Sequence, residues 1–273
     1  MNKLLVISIV AFITSISGVA QEKIEVMRYE YQLVFPSWEI GSEKSEIGKR
    51  EVVYLDIYNN KSRCISEGSN NVEELLEIKQ GGRGFANKSN LKQYNTKVRW
   101  SVYANQGKLS TYLSTGLNMY NVEEINNLIK WNISGDIEDY NGMKVQKAVG
   151  ELSGRTWAVW FTQDIPLIDG PYKFKNLPGF VVKAEDSTGD YKFEFLKSEK
   201  VITSYWLPKS SSSAQKITKE QWNKLRNAIT NKNLIQMLEE RGTKIDISSI
   251  KDKTVQEEMN RKIGKEDKPI EFY

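Results

Sequence analysis

Four aspartates are the residues whose type and spacing come nearest to a catalytic arrangement. Two carboxylates facing each other across a cleft can act as acid and base on a glycosidic bond, and their separation sets the mechanism. Each of the four stands beside turn-forming residues, where aspartate commonly accepts hydrogen bonds from its own backbone. The sequence therefore favours turn formation, with a carboxylate-dependent, glycan-acting hydrolase as an alternative function. The four are Asp164, Asp169, Asp186 and Asp190.

The chain contains no histidine. This excludes Ser-His-Asp and Cys-His nucleophile pairs, HExxH zinc sites and imidazole acid-base catalysis near neutral pH. The single cysteine, Cys64, excludes an internal disulfide and a cysteine-rich zinc site. Its surroundings, SRCISE, predict a strand, which favours a buried thiol over one paired with a second chain. We expect no cofactor, no metal site and, on balance, no enzymatic activity.

Aromatic side chains are dense between residues 157 and 195. Core packing is their ordinary explanation, because one face of each strand must be buried. Alternatively, a curved sheet leaves some of them lining an apolar groove for a lipid, a peptide or a partner's strand, with basic residues meeting an anionic head group. The ligand-binding residues predicted on this basis are Arg155, Trp157, Trp160, Lys173 and Phe180.

The first 20 residues have the pattern of a secretory signal peptide. A positive start at Lys3 precedes an apolar run over 4–16 and small residues at Gly18 and Ala20. We predict cleavage after Ala20, export to the periplasm or beyond the cell, and no transmembrane segment in the mature chain. Because the 39 basic and 35 acidic residues are mixed along the chain, no nucleic-acid-binding surface is predicted.

Alternating apolar and polar residues predict a sheet built hairpin by hairpin. Turns are expected at 59–60, 105–107 and 139–142, and strand 155–162 has apolar residues on both faces, as a central strand does. A weak helical pattern covers 71–80 and a glycine-rich loop follows at 81–90. The predicted strands cover 23–35, 51–58, 61–68, 97–104, 108–116, 130–134, 143–152 and 155–162.

Residues 169–195 combine a rigid corner with a hairpin. Pro178 and Gly179 occupy the positions that a type II turn prefers. Phe180, Val182 and Ala184 then share one strand face. After a turn at 186–190, the next strand places Tyr191, Phe193 and Phe195 on a matching face. The corner is expected to fix the register of the strand that follows it.

The C-terminal part has a different character. A serine-rich linker is expected after Trp206, followed by a helix that a Thr218–Gln221 capping box begins and Gly242 ends. A second helix is expected over 254–263, ended by Gly264. The fold class is β-dominated α+β, a strongly curved antiparallel sheet with C-terminal helices. Its segments are a signal peptide (1–20), a β-rich domain (21–206) and a linker with a helical extension (207–273).

Residues 170–193 carry a recognisable motif. The hexapeptide at 176–181 is Asn176-Leu177-Pro178-Gly179-Phe180-Val181, and Lys147-Ala148, Gly154-Arg155, Asp164-Ile165-Pro166 and Gly170-Pro171 precede it in order. This set resembles the GLPGLI family, exported proteins of the Bacteroidetes named for Gly-Leu-Pro-Gly-Leu-Ile, and the likeness runs from about Trp131 to Leu196. Asn176 replaces the family's first glycine, and asparagine is the best substitute if that position has a positive φ.

The resemblance implies export and a β-rich architecture, and the family has no established activity to transfer. We therefore expect a non-catalytic envelope protein that binds an apolar ligand, such as a lipid or peptide, or a cell-surface partner. The alternatives are the hydrolase described above and an interaction subunit of an outer-membrane protein complex. In that last case an exposed sheet edge or the C-terminal helices would dock on the partner.

Overall fold

The computed structural model describes most of the chain after the predicted signal peptide. The signal peptide itself and the glycine-rich loop at 81–90 lie outside the described residues. These are 23–39, 41–42, 44–80, 95–115, 118–203, 206–207 and 209–272, and side chains are described throughout them except at 76–80 and 209–210.

Twelve strands of the described chain form one sheet, in the order β12-β6-β5-β4-β3-β2-β1-β11-β10-β9-β8-β7. Neighbours pair antiparallel, apart from the parallel pair β12–β6. The strands are β1 (Ile24–Ser37), β2 (Glu46–Tyr58), β3 (Lys61–Ser66), β4 (Trp100–Asn105), β5 (Lys108–Ser114), β6 (Met119–Ile125), β7 (Asn132–Tyr140), β8 (Met143–Leu152), β9 (Arg155–Thr162), β10 (Phe180–Asp186), β11 (Lys192–Thr203) and β12 (Gln215–Ile217).

Four α-helices and two short 3-10 helices accompany the sheet in the described chain. The 3-10 helices are Lys209–Ser213 and Ile247–Ser249, and the α-helices are α1 (Glu67–Gln80), α2 (Lys219–Ile229), α3 (Leu234–Glu239) and α4 (Lys253–Asn260). The Thr218–Gln221 capping box begins α2 as predicted. The β-dominated α+β fold expected from the sequence is confirmed.

Short local turns explain the regular hairpins. Asn59 and Asn60, between β2 and β3, have φ values of 46° and 61°. A two-residue turn with positive φ at both positions matches the right-handed twist of the flanking strands, and asparagine tolerates that conformation better than most residues. Gln106 and Gly107 repeat this geometry between β4 and β5, with φ values of 47° and 77°.

The sheet curls around its apolar face. Strands β4 and β11 are four positions apart in the sheet, which would separate them by roughly 19 Å if it were flat. Yet the rings of Trp100 on β4 and Phe193 next to the start of β11 have centroids only 6.5 Å apart. The concave side of the curl holds the main hydrophobic core.

Two segments without regular strands cover this core. The connection from β9 to β10 buries Tyr172, Phe174 and Leu177 against the sheet, and the ring of Phe174 lies 4.6 Å from that of Trp157. The C-terminal residues 263–272 pack beside this connection, with Ile270 in contact with the core cluster. The sheet therefore obtains its second layer from these segments.

The structure corrects three strand predictions. Strand β6 was not expected, because its buried residues Tyr120, Asn121 and Val122 are consecutive and give no alternation. Strand β7 covers Asn132–Tyr140, longer than the predicted 130–134. The predicted linker contains β12. Its three residues form a strand because they pair with β6, and no local sequence pattern reveals that pairing.

The C-terminal helices also differ from expectation. The single helix predicted up to Gly242 is two helices, because Asn233 forms a second capping box with Gln236 and begins α3. The last helix covers Lys253–Asn260 and ends before the predicted residue 263. Helix α1 begins at Glu67, ahead of the predicted 71.

The predicted type II turn at Pro178–Gly179 is wrong. That turn requires a positive φ at Gly179, and Gly179 is not among the glycines with positive φ. Glycine is needed there for space, because a Cβ would lie 2.4 Å from the carbonyl oxygen of Thr162. Asn176 has a φ of 63°, which accounts for the glycine that the family motif has at this position.

Replacing Gly179 with alanine should destabilise the protein by about 1 to 3 kcal/mol, because the added methyl group collides with the backbone of β9. Urea unfolding followed by tryptophan fluorescence measures the loss. Gly135→Ala is the matched control, since a Cβ at Gly135 meets no atom within 4 Å. Equal stability of the Gly179→Ala variant and the unmodified protein would contradict the close-approach explanation.

Candidate functional site

The predicted ligand-binding residues do not line an open groove. Arg155, Trp157, Lys173 and Phe180 are each at most 3% exposed. Trp160 is 8% exposed; its indole N–H donates to Glu138, and its ring lies against the ammonium groups of two lysines. Four of the five residues therefore lie in the interior, and Trp160 packs against lysine side chains on one face of the sheet.

Arg155 is held inside the fold by groups from two segments, residues 186–191 and 269–272. Its Nη1 lies 2.6 Å from Asp186 Oδ2 and 3.5 Å from Asp190 Oδ2, and its Nε donates to the carbonyl oxygen of Pro269 at 2.9 Å. The rings of Tyr191 and Phe272 lie 4.8 and 4.4 Å from its guanidinium carbon. A guanidinium engaged in this way is not available to an anionic ligand.

Two of the four candidate catalytic aspartates form their own turns. Asp169 accepts a hydrogen bond from the backbone N–H of Gly170 at 2.7 Å. Asp186 accepts from the backbone N–H groups of Thr188 and Tyr191 at 3.2 and 2.7 Å. The turn-forming interpretation is confirmed for these two residues.

The other two aspartates bind groups elsewhere in the chain. Asp164 accepts from the backbone N–H of Lys144 at the start of β8, at 2.9 Å. Asp190 pairs with Lys268 at 2.5 Å as well as with Arg155. Burial alone raises the pKa of Asp190, but the hydrogen bonds from Lys268 and Thr188 outweigh it and hold that pKa below its usual value.

Lys173 is the centre of a second buried ionic network. Its Nζ lies 2.6 Å from Glu124 Oε2 and 2.6 Å from Glu271 Oε1. Glu271 also pairs with Lys219 at 3.4 Å and accepts a hydrogen bond from the hydroxyl group of Tyr172. Burial alone raises the pKa of Glu271, but the charge of Lys173 and these hydrogen bonds lower it to about 2.

A cavity of about 160 Å³ lies between the sheet and the C-terminal segment. None of the five predicted ligand-binding residues lines it. Its sheet side comes from the end of β1, from residues 97–100 and from the end of β5, and its other side from α2 and residues 263–271. The aromatic residues in its lining are Phe35, Trp38, Trp100, Tyr172, Tyr191 and Trp222.

The cavity also carries charge of both signs. Glu266 lines it and is partly exposed. Burial raises the pKa of Glu266, and the nearby positive charges of Arg226 and Arg99 oppose that shift. Arg99, also in the lining, is exposed. Lys97, also in the lining, is paired with Glu39 at 2.5 Å.

Sequence reasoning missed this cavity for a topological reason. Trp38, Trp100 and Trp222 are far apart in the chain and become neighbours only because the sheet curls and α2 returns to it. The one local signal was the predicted capping box, which correctly placed Trp222 on a helix. No pattern within any single segment indicates which residues enclose empty space.

A metal site and a membrane-spanning helix are both absent from the described residues. Within the described residues between 23 and 272, no group of three or more acidic or cysteine side chains is placed to hold a metal ion. Nor does any helix in that part combine the length and the apolar character needed to cross a membrane. Cys64 is buried at 1% exposure, as predicted, and burial raises the pKa of its thiol to about 12.

The fold and cavity together describe a β-rich protein with a ligand-sized cavity under its C-terminal segment. No protein-family model matches the chain, and no curated protein matches it. It is similar to PNGF-II, solved in space groups P21 and C2, at 14% and 15% sequence identity with TM-scores of 0.48 and 0.46. The matches cover 74% of this chain and about a third of PNGF-II. Proteins alike to this degree need not share an activity.

Replacing Glu271 with glutamine should change how stability depends on pH. Because folding lowers the pKa of Glu271 from 4.5 to about 2, its contribution is complete above pH 4.5 and is lost as the pH falls to about 2. This contribution is about 3 kcal/mol in order of magnitude. The variant keeps Lys173 paired with Glu124.

Urea unfolding at several pH values between 2 and 7 measures this effect. The difference in unfolding free energy between the unmodified protein and Glu271→Gln should shrink as the pH falls from 4.5 to 2. Glu257→Gln, at an exposed position on α4, should behave like the unmodified protein at every pH. A difference that stays constant over this range would show that Glu271 does not act through its charge.

Proposed function

We propose that this protein is an exported, non-catalytic binding module of the GLPGLI family that holds a small, largely apolar molecule in the cavity under its C-terminal segment. The observation that carries the proposal is the cavity itself, whose lining is rich in aromatic residues and also includes polar and charged side chains. Ligand sites in proteins are typically concave, mainly apolar and equipped with a small number of polar groups that orient the ligand.

The size of the cavity limits the ligand. An apolar cavity of about 150 Å³ accommodates one benzene molecule, and this one is about 160 Å³. One ring or one branched alkyl group therefore fits inside, and any larger part of the ligand must extend into solvent. A lipid with several acyl chains is too large for this volume. Of the apolar ligands expected from the sequence, only small ones therefore fit.

The ionic networks favour binding over hydrolysis. A general acid or base must reach a substrate, and the carboxylates proposed for that role are engaged in ion pairs or turn hydrogen bonds. Asp186 is fully buried at its side chain, against Arg155. We therefore prefer the non-catalytic proposal to the glycan-acting hydrolase.

Filling the cavity should abolish binding. Benzyl alcohol, a neutral single-ring probe, should bind the unmodified protein with a Kd of about 1 mM or lower, which corresponds to about −4 kcal/mol. Ile229→Trp adds a ring to the cavity lining and should weaken that binding at least about tenfold. Titration followed by NMR chemical shifts gives both values.

The matched control for this test is Ala228→Trp. Ala228 is the preceding residue of α2, is exposed and does not line the cavity. Its variant should bind benzyl alcohol as the unmodified protein does. Equal weakening in both variants, or no saturable binding to the unmodified protein, would sink the proposal. If the unmodified protein binds benzyl alcohol, solvent extraction and mass spectrometry of protein from its native envelope would identify the natural ligand.

Export makes a separate prediction. If the first 20 residues are a signal peptide, the intact mass of protein recovered from the periplasm or the medium should correspond to a chain beginning at Gln21. Ala20→Arg places a large charged residue where the peptidase requires a small one, so this variant should remain uncleaved. Recovery of full-length, unprocessed protein from the cytoplasm alone would refute export.

A further inference from the structure

Strand β7 is the last strand on one side of the sheet, and within the described residues no further strand lies beyond it. It covers Asn132–Tyr140, and all but two of its nine residues are exposed. An open edge offers unpaired backbone groups to another chain, and natural sheets usually protect it with lysine, proline or a bulge. β7 contains no lysine or proline, and its irregularity lies between Ile133 and Ile137. The stretch 137–140 is therefore a regular, unprotected edge.

The hairpin turn between β7 and β8 determines which backbone groups of β7 face outward. Residues 141 and 142 have φ values of 53° and 79° and form a two-residue turn. Tyr140 and Met143, which flank it, are then a hydrogen-bonded pair. The next pair along the ladder, Asp139 and Lys144, is not hydrogen-bonded, because the two kinds of pair alternate in antiparallel strands.

The backbone of Lys144 agrees with this alternation. Its N–H donates to Asp164 at 2.9 Å, and its carbonyl oxygen accepts from the hydroxyl group of Thr162 at 2.7 Å. Both partners lie on the β9 side of β8, so these backbone groups point away from β7. By the same alternation, the N–H and C=O groups of Ile137 and Asp139 point away from β8, to where a further strand would lie.

Two exposed apolar side chains accompany these backbone groups. Ile133 and Ile137 are 42% and 66% exposed. Their cross-strand partners are Ala148 and Gln146, so both isoleucines lie on the face of the sheet that carries the buried Ala148 of the main core. A strand added beside β7 would cover the two isoleucines with its own apolar residues and extend the core.

The charge of β7 indicates the chemistry of such a strand. Asp136, Glu138 and Asp139 give its last five residues three negative charges and no positive charge. The lysines of β8 lie one strand further in: Lys144 is paired with Asp139, and the ammonium group of Lys147 lies over an aromatic ring. Opposite charges on neighbouring strands stabilise their pairing. A strand with basic residues therefore suits this edge.

A second copy of this chain does not suit the edge. Two copies related by a two-fold axis would pair β7 antiparallel with β7. With the axis at Ile137, Asp136 lies opposite Glu138, and with the axis at Glu138 or Asp139, that carboxylate lies opposite itself. Each of these registers places like charges directly opposite each other, which destabilises a strand pair.

We propose that β7 binds an extended segment of a partner protein as an additional strand, in which apolar residues that cover Ile133 and Ile137 alternate with basic residues. The outward backbone groups of Ile137 and Asp139 form the main-chain hydrogen bonds, and the acidic side chains of β7 select for positive charge. This surface is separate from the cavity, to whose lining β7 contributes no residue. The inference goes beyond the proposed function and does not rest on it.

Three capped heptapeptides test the proposal by isothermal titration calorimetry with the full mature chain at pH 7. The first, Lys-Val-Lys-Ile-Lys-Val-Lys, should bind with a Kd of about 1 mM or lower. The second has glutamate in place of every lysine. The third keeps the lysines but is N-methylated at its apolar residues, which removes the N–H groups that face β7. Both should bind at least about tenfold more weakly than the first.

Hydrogen exchange measured by NMR locates the contact. With the lysine peptide in excess, the amides of Ile137 and Asp139 should exchange at least about tenfold more slowly. The amides of Glu138 and Tyr140 are already bonded to β8, so their exchange should change less. A peptide held only by charge attraction would leave Ile137 and Asp139 unchanged, and this result would contradict the proposal.

Two variants assign the backbone and the charge contributions. Ile137→Pro removes an outward N–H without breaking a bond to β8, and Glu138→Lys reverses a charge at the edge. Each should weaken binding of the lysine peptide at least about tenfold. Glu151→Lys is the matched control, because Glu151 is an exposed residue of β8 beyond the part that pairs with β7. It should bind the peptide as the unmodified protein does.

The other outcomes are distinct from the expected one. If the three peptides bind equally, if the lysine peptide does not bind, or if Glu151→Lys weakens binding as much as Glu138→Lys, the inference is wrong. If sedimentation shows a dimer that Ile137→Pro abolishes, the edge binds a second copy and the inference is also wrong. Benzyl alcohol binding should be unchanged in Ile137→Pro, so the cavity proposal and the edge proposal succeed or fail separately.

Discussion

A buried positive charge must be neutralised within the fold, and the position of Arg155 imposes that requirement on two distant segments, the turn from β10 to β11 and the C-terminal segment. Removing one partner of a buried ion pair typically costs 3 to 5 kcal/mol. Arg155 is on β9, its two carboxylates flank the turn from β10 to β11, and its third contact is the carbonyl group of Pro269. The same interaction that fixes the hairpin therefore fixes the C-terminal segment against the sheet.

The cavity follows from this anchoring. The C-terminal segment is held at Lys268 by Asp190, at Pro269 by Arg155 and at Glu271 by Lys173. These contacts are close together in sequence and hold the segment at one side of the sheet. The residues just before them, 263–266, extend over the aromatic ends of the strands toward α2. Because the anchored part cannot shift, the space under 263–266 does not collapse as an unsupported cavity would.

The sequence predicted what depends on neighbouring residues. Hairpins with Asn59-Asn60 or Gln106-Gly107 were found because two adjacent residues determine the turn. The prediction of a type II turn at Gly179 was wrong. Glycine is needed there because the carbonyl group of Thr162 comes close, and no local sequence pattern reveals that contact. Strand β12 and the cavity were missed for the same cause: pairing with β6 and the approach of α2 to the sheet are tertiary events. Arg155 and Lys173 were predicted to bind a ligand, and the structure places both in buried ion pairs whose partners are distant in the sequence.

The family-like motif and the candidate site therefore have different physical roles. The aromatic residues around the motif fill the core, as Phe174, Phe180 and Phe193 do at zero exposure, so they leave no surface for a ligand. The charged residues near the motif are matched, each cation with its carboxylates. The candidate site lies where α2 and residues 263–266 meet the ends of the strands, so its empty space depends on the ion pairs that anchor the C-terminal segment.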